Sequence, residues 1–390
     1  MSAPTTRRQF LHVAGAGTLG VAATGCLPGA RPGQAARRAG LGFYVGTYTD
    51  GASEGIYRAR LDPGSGALTL DGATAAGANP SFLALDRTGR TLYAVNETTE
   101  YEGQPSGAVA AFAIAPETGA LALINRQPSR GGAPCHVALD RAGRFVLVAN
   151  YVGGNVAVLP VGTNGRLGEA VAVAQRTGSG PDRRQAAPHA HMVQLDAANR
   201  HALVADLGTD RLAVYRFDAG AGTLALLSEA SLRPGAGPRH FAFGPDGRRV
   251  YVLNELNSTI TAFDYDADRG ALAERGTAST LPAGYAEPNS GAHVLASADG
   301  RFVYASNRGH DSIAVFAADR SSGALTPVEH VPTGGRRPRN FALDPSGRFL
   351  LAANQDSGTV ASFAVDAATG QLTPTGARLD VPAPVCVVFA

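Results

Sequence analysis

Eight side chains between positions 189 and 339 are of the types that bind oxygen-rich anions and move protons. They are four histidines, three arginines and one glutamate: His189, His191, Arg239, His240, Glu255, His293, Arg308 and Arg339. Imidazole groups transfer protons near neutral pH, and guanidinium groups pair with carboxylates, phosphates or a developing oxyanion. The set therefore indicates a site for a small, oxygen-rich molecule, provided that the fold gathers these residues in one place.

A sequence repeat predicts that fold. An apolar strand with a small polar residue at its end occurs seven times after residue 40, ending at Thr47, Asn96, Asn150, Asp206, Asn254, Asn307 and Asn354. A turn also occurs seven times, with its glycine at positions 66, 119, 165, 222, 270, 323 and 370. Alternating apolar residues between these markers indicate short antiparallel strands. Seven repeats of about 50 residues, each with four strands, predict an all-β, seven-bladed β-propeller.

The two ends of the repeat region indicate how the ring closes. Most repeats open with a strand like Pro338–Asp344, but the first repeat begins directly at Phe43 without one. The chain instead finishes with an extra copy, Pro384–Phe389. We therefore expect the C-terminal strand to join the first blade, which removes an exposed sheet edge.

The repeated frame also places the candidate residues. The first strand of each blade lines a propeller's central channel, and its second and third positions hold His191, Arg239, His240, His293 and Arg339. Glu255 and Arg308 directly follow strands that end in asparagine, where a strand runs out into a loop. Such strand ends often carry function on a rigid scaffold. Four consecutive blades thus supply one sector of the channel mouth, and we add the strand-end residues Asp206 and Asn307 as candidate ligand-binding groups.

Charge and composition exclude several kinds of function. The net charge is +2, and five arginines precede the first acidic residue, Asp50, so the repeat region is slightly acidic and unsuited to nucleic acid. The sequence has no lysine, which excludes Schiff-base chemistry. His189 and His191 with Asp206 or Glu255 would make a two-histidine, one-carboxylate metal site, but the neighbouring arginines would repel a dication. We predict neither a metal nor another cofactor. No Gly-x-Ser-x-Gly elbow of the serine-hydrolase type is expected at a strand-to-helix turn in this sequence.

Residues 1–40 are typical of an export signal. Arg7 and Arg8 form a twin-arginine pattern, followed by a Gly- and Ala-rich apolar run with small residues before Cys26. This predicts export by the twin-arginine route to the periplasm or cell envelope. Cys26 is a candidate lipidation site, although Ala23 stands where such sites usually have leucine. Any membrane attachment is expected only through that lipid, and we expect a monomer.

Two further cysteines, Cys135 and Cys386, lie in the repeat region. The repeat alignment places them two blades apart. We therefore expect no disulfide bond between them, even in an exported protein.

The repeat region, residues 41–390, resembles the seven-bladed propeller lactonases of the 6-phosphogluconolactonase type, to which fungal carboxymuconate-lactonising enzymes are related. The resemblance is carried by the segments Tyr44–Tyr48, Pro188–His191, Asp206–Asp210, Gly237–His240, Asn254–Glu255 and Ser306–Gly309. It implies a lactone as the small-molecule substrate. It also implies a catalytic group of one histidine, two arginines and one glutamate, which correspond to His191, Arg239, Arg308 and Glu255. The export signal is unusual for enzymes of the cytosolic sugar-phosphate lactone.

Hydrolysis of a sugar lactone is the function that these observations favour. We expect Glu255 to activate water, with a raised pKa if it is partly buried, and His191 to protonate the leaving ring oxygen, although the two could exchange roles. Arg239 and Arg308 would stabilise the oxyanion, while His189, His240, His293, Arg339, Asp206 and Asn307 would bind substrate. The alternatives are a lactonising isomerase of the carboxymuconate type and a non-enzymatic propeller of the cell envelope that binds a ligand or a protein.

Overall fold

A computed structural model describes residues 40–390, and the export and lipidation predictions on Arg7, Arg8 and Cys26 lie outside the described residues. These 351 residues form seven four-stranded antiparallel sheets arranged as the blades of a propeller. The prediction of an all-β, seven-bladed propeller is confirmed. Within the described range no helix is long and apolar enough to cross a membrane.

Blades 2 to 7 are each built from four consecutive strands, and blade 1 takes three strands from the start of the repeat region. Blade 1 contains β1 (Leu41–Thr47), β2 (Ile56–Leu61) and β3 (Leu68–Thr74), and blade 2 contains β4 (Leu83–Leu85), β5 (Thr91–Asn96), β6 (Ala108–Ile114) and β7 (Leu121–Pro128). Blade 3 contains β8 (Pro134–Leu139), β9 (Phe145–Asn150), β10 (Asn155–Pro160) and β11 (Ala172–Gln175). Blade 4 contains β12 (Ala190–Leu195), β13 (His201–Asp206), β14 (Arg211–Asp218) and β15 (Thr223–Ser231). Blade 5 contains β16 (Pro238–Phe243), β17 (Arg249–Asn254), β18 (Thr259–Asp266) and β19 (Ala271–Ser279).

Blade 6 contains β20 (Ser290–Ala296), β21 (Phe302–Arg308), β22 (Ser312–Ala318) and β23 (Leu325–Pro332). Blade 7 contains β24 (Pro338–Leu343), β25 (Phe349–Asn354), β26 (Thr359–Val365) and β27 (Leu372–Asp380), and the chain ends with β28 (Pro384–Phe389). In residues 40–390, three single turns of 3₁₀ helix interrupt the strands, at Thr163–Gly165, Arg183–Gln185 and Gln355–Ser357.

The ring closes through its last strand. β28 pairs antiparallel with β1, with Phe43 opposite Phe389 and Val45 opposite Val387. β28 is therefore the innermost strand of blade 1, in the order β28-β1-β2-β3. The predicted closure by the C-terminal strand agrees with this pairing.

The hydrophobic core is divided among the interfaces between blades. Seven clusters of buried apolar side chains lie in the described region, and each draws its residues from two adjacent blades. Side chains on both faces of each sheet are buried, so the second strands read as continuous apolar runs such as Phe145–Asn150. This packing holds the inner strands in a fixed ring around the channel.

The hairpin glycines help to join neighbouring blades. All seven repeat-turn glycines have a positive φ, between 62° and 78°. At Gly222 an added Cβ would lie 2.3 Å from the ring of Phe145, which belongs to the preceding blade. Glycine is thus required there both by the left-handed backbone and by the close approach of the preceding blade.

Candidate active site

A β-bulge near the start of the inner strands determines which side chains reach the channel. In β16, Pro238 pairs with Asn254 and His240 pairs with Leu253, so that Arg239 is left out of the ladder. The same shift leaves out Cys135, His191 and Arg339 in β8, β12 and β24. An extra residue re-aims its side chain and breaks the alternation of a regular strand. Consecutive residues such as Arg239 and His240 are therefore both available to the same polar cluster.

Glu255 lies at the centre of the polar cluster and contacts three guanidinium groups. Its Oε2 is 2.9 Å from Nε of Arg239 and 3.0 Å from Nη2 of Arg308, while its Oε1 is 2.6 Å from Nη2 of Arg184. The side chains of Glu255, Arg239 and Arg308 are almost fully buried, whereas that of Arg184 is 39% exposed. Three positive charges thus meet one negative charge below the channel mouth.

The arginines hold Glu255 ionised. Burial alone would raise the pKa of this carboxyl group, but the charges of Arg308 and Arg239 outweigh burial and lower it well below the usual value. The expectation of a raised pKa for Glu255 is therefore wrong, because the carboxylate is buried among cations rather than among apolar groups. A carboxylate so stabilised is a weak base.

The excess positive charge also lowers the pKa of Arg239. Burial, together with repulsion by Arg308 and Arg339, lowers the pKa of Arg239 to about 9. The Arg239 guanidinium donates to the carbonyl oxygen of Ala292, and Arg308 Nη2 donates to the carbonyl oxygen of Gly291 at 2.7 Å. Backbone acceptors therefore fix both arginines in position, and an anion bound between them would relieve their repulsion.

His191 is the buried imidazole that borders this charge cluster. Its Nδ1 is 3.6 Å from Sγ of Cys135, and its ring lies edge-on to those of Tyr151 and His240. Its Nε2 makes no hydrogen bond to the described residues. Burial and the charge of Arg239 lower the pKa of His191 well below 6.5, so the ring is neutral at pH 7. A neutral imidazole with an unused nitrogen can accept a proton.

The other predicted histidines lie around His191. His189 is half-buried and stacks on Tyr151 at a ring separation of 4.3 Å, with its Nδ1 donating to the Tyr151 carbonyl at 2.8 Å. His240 and His293 are joined by an Nδ1–Nδ1 hydrogen bond of 2.8 Å. His293 also lines a cavity of about 590 Å³ that includes Ala296, at the opposite end of the inner strands. This pair therefore separates the charge cluster from the far end of the channel.

Two predicted ligand-binding residues are engaged elsewhere. The Asp206 carboxylate accepts from Arg176 at 3.1 Å and from the backbone N–H of His189 at 2.8 Å. The Asn307 amide donates to the carbonyl oxygen of Thr280 at 2.7 Å. Both side chains are fully buried within these networks. They support the frame of the site, and the structure does not bring them into the cluster around Glu255.

Arg184 and Tyr151 are the site residues that the sequence analysis missed. Arg184 belongs to the 3₁₀ turn in the connection between β11 and β12, where Asp182 and Gln185 form a capping box. Gln185 also donates to the Leu207 carbonyl and to Asp210, which ties this connection to blade 4. The connection lies outside the repeated frame, and its length was the one signal that pointed to it.

The two remaining cysteines are buried and unbridged, as expected from their places in blades 3 and 1. Among residues 40–390, no group of three or more histidine, cysteine, aspartate or glutamate side chains has an arrangement that could hold a metal ion.

Fold and site together define a seven-bladed propeller whose channel mouth carries a buried arginine–glutamate–histidine cluster. The family model described as "Lactonase, 7-bladed beta-propeller" matches residues 42–389. The chain belongs to this lactonase family.

Individual relatives agree with that assignment. A 6-phosphogluconolactonase of Bacillus subtilis is 40% identical over 346 residues, which are 89% of this chain and 97% of that protein. Another 6-phosphogluconolactonase, from Formosa agariphila, is 35% identical over 78% of this chain and 86% of its own length. Among solved structures, the periplasmic gluconolactonase PpgL of Pseudomonas aeruginosa superposes with a TM-score of 0.85. It is 34% identical, over 90% of this chain and 99% of that one. These similarities support a lactonase function.

Proposed function

We propose that this protein hydrolyses the ring ester of a sugar lactone. The observation that carries the proposal is the buried pair Arg239 and Arg308, held by Glu255 and by backbone carbonyls beside the neutral imidazole of His191. Ester hydrolysis needs such a combination, because charge develops on the carbonyl oxygen while a proton leaves the attacking water. The family and the names of the relatives support the same reaction.

The arginines are assigned to the carbonyl oxygen. Addition of water to the lactone carbonyl forms a tetrahedral intermediate with a negative oxygen. Arg239 and Arg308 supply guanidinium N–H groups that are positioned before the reaction begins, so little reorganisation is needed as the charge appears. Glu255 keeps the two cations together, and in this proposal it is a positioning residue rather than the base.

His191 is assigned the proton transfer. It takes a proton from the attacking water and returns it to the ring oxygen as the C–O bond breaks, leaving an open-chain hydroxy acid. In the free protein the charges of Arg239 and Arg339 contribute to its low pKa. An anionic intermediate between the arginines offsets those charges, so the imidazole becomes more basic when it must accept the proton.

Lactone hydrolysis by the purified repeat region, residues 41–390, tests the proposal. Acid release from glucono-δ-lactone and from 6-phosphoglucono-δ-lactone is compared with the spontaneous rate. We expect Arg239→Ala and His191→Asn to lower kcat by about 10²–10³-fold, because each removes a group that acts in the transition state. Arg216→Ala, at an exposed position of β14, is the matched control. Wild-type rates in folded Arg239→Ala protein would contradict the proposal.

We further propose that the protein is exported and acts as a monomer. Export is supported by the twin-arginine pattern at Arg7 and Arg8, the cysteine at position 26 and the similarity to a structure described as periplasmic. Cell fractionation of the full chain and of an Arg7→Lys/Arg8→Lys variant tests the route, and lipid labelling with and without Cys26→Ala tests the anchor. Light scattering should give a single species with the mass of one chain.

A further inference from the structure

A second polar cluster, consisting of Tyr48, Ser81, Glu97 and Arg339, lies at the channel mouth. The Glu97 carboxylate accepts from the Tyr48 hydroxyl at 3.0 and 3.1 Å, and also from the Ser81 hydroxyl. Arg339 Nη2 donates to the Tyr48 hydroxyl oxygen at 2.7 Å, and its guanidinium lies 5.2 Å from the centre of the Tyr48 ring. We refer to these four residues as the Glu97 cluster.

The Glu97 cluster occupies the same repeat positions as the cluster around Glu255. In the repeat alignment, Ser81 and Glu97 of blade 2 correspond to Arg239 and Glu255 of blade 5. Ser81 lies two residues before the inner strand β4, and Glu97 directly follows the second strand. Blades 2 and 5 lie across a seven-bladed ring from each other. The two carboxylates therefore stand at corresponding levels on opposite sides of the mouth.

The carboxylates of the two clusters influence the same neighbouring side chains. The charges of Glu97 and Glu255 both raise the pKa of Arg339. The same two carboxylates raise the pKa of the Cys135 thiol, whereas Arg239 and Arg339 lower it. Arg339 thus links the clusters, and a molecule bound between Arg239 and Arg308 would extend toward Tyr48 and Glu97.

The two sides differ in net charge and in the partners of their carboxylates. Glu255 contacts three guanidinium groups, which leaves that side positive. Among the described residues, the Glu97 carboxylate accepts hydrogen bonds only from two neutral hydroxyl groups, and the positive charge of Arg339 balances it. A half-buried carboxylate with hydroxyl partners accepts hydrogen bonds from other hydroxyl groups and repels a phosphate.

We infer that the Glu97 cluster is the specificity half of the site and binds the hydroxyl groups of an uncharged, polyhydroxylated lactone. The inference rests on the proposed function, because it assumes that the lactone carbonyl lies at Arg239 and Arg308. It assigns substrate contact to Glu97 and Tyr48, with Ser81 and Arg339 orienting them. The favoured substrate is then an unphosphorylated sugar lactone.

The ratio of kcat/KM for glucono-δ-lactone to that for 6-phosphoglucono-δ-lactone tests this inference. The wild-type protein should favour the unphosphorylated lactone. Glu97→Gln keeps the shape and removes the charge, so kcat/KM for glucono-δ-lactone should fall about 10- to 100-fold, the effect of losing a hydrogen bond to a charged group. The phosphorylated lactone should be affected less, which shifts the ratio toward it by up to about 100-fold.

Two further variants separate specificity from folding. Tyr48→Phe keeps the ring and removes the hydroxyl shared by Arg339 and Glu97, and it should shift the ratio in the same direction by a smaller factor. Glu117→Gln, in the exposed turn between β6 and β7 at the other end of the blade, should leave the ratio unchanged. A wild-type preference for the phosphorylated lactone, or an equal loss on both lactones in Glu97→Gln, overturns the inference. No turnover of either lactone by the wild-type protein overturns the proposed function, and the inference with it.

Discussion

Four histidines beside the channel are buried in the neutral form, and their lowered pKa values make the stability of the fold depend on pH. Burial lowers the pKa of His136 and of His293 to about 3, with further contributions from nearby cations. Burial and the charge of Arg239 lower those of His191 and His240 well below 6.5. Above pH 6.5 these groups are neutral in both folded and unfolded chains. Below that pH the unfolded chain binds protons that the folded protein cannot accept.

The free energy of unfolding should therefore fall as the pH drops below about 6.5, by up to about 1.4 kcal/mol per pH unit for each of these histidines. Chemical denaturation between pH 7.5 and 4.5 measures the slope. His136→Gln should reduce the slope by the contribution of one histidine, up to about 1.4 kcal/mol per pH unit. His310→Gln, in the half-buried loop after β21, serves as the comparison. An unchanged slope in folded His136→Gln protein would show that His136 titrates normally.

At the residue scale the sequence predicted which side chains meet but not their electrostatic state. The repeat alignment placed His191, Arg239, Glu255 and Arg308 in one sector, and the structure brings them together. It did not show that Glu255 is held by three cations, because Arg184 comes from a connection with no counterpart in the other repeats. The protonation state of a buried carboxyl group depends on such non-local neighbours, which spacing along the chain does not give.

At the scale of single strands, four of the strand-end asparagines make the same kind of contact. Asn96, Asn150, Asn307 and Asn354 each donate through Nδ2 to a carbonyl oxygen in the segment that enters their blade from the preceding one. This shared contact accounts for the asparagine at four of the seven strand ends, whereas the Asn254 amide donates to Thr259 and Thr261 instead. The regular pattern was visible in the sequence, but the same pattern suits both a scaffold and a ligand-binding ring. Spacing alone could not separate Asn307 from Glu255.

Asn150→Ala should lower the free energy of unfolding by about 1–3 kcal/mol, because the Ser129 carbonyl oxygen loses its buried donor. Thermal and urea denaturation measure the change. Asn257→Ala, at an exposed position between β17 and β18, should change stability far less. Equal stabilities for the two variants would argue against the common structural role of the strand-end asparagines.

At the scale of the whole molecule, stability is shared among seven blade interfaces, and two of them include side chains of the last strand. Removal of residues 384–390 takes away the inner partner of β1 and exposes the buried side chains of Phe43 and Val45. We expect this truncation to give insoluble or unfolded protein. A permuted chain with residues 384–390 linked ahead of Leu41 should recover solubility and a cooperative thermal transition, which size-exclusion chromatography and calorimetry would detect. A soluble, cooperatively folding truncation would contradict this dependence.

The pairing of β28 with β1 also sets the timing of folding during synthesis. About 340 residues separate the two strands, so at ~5–20 residues per second the ribosome needs roughly 17–70 s between them. Throughout that interval blade 1 has an unpaired inner edge, whereas blades 2 to 7 receive all their strands in sequence order. A chain that ends before β28 leaves the inner edge of β1 unpaired. Closure of the ring is thus the last step of folding during synthesis, because it needs the strand that is made last.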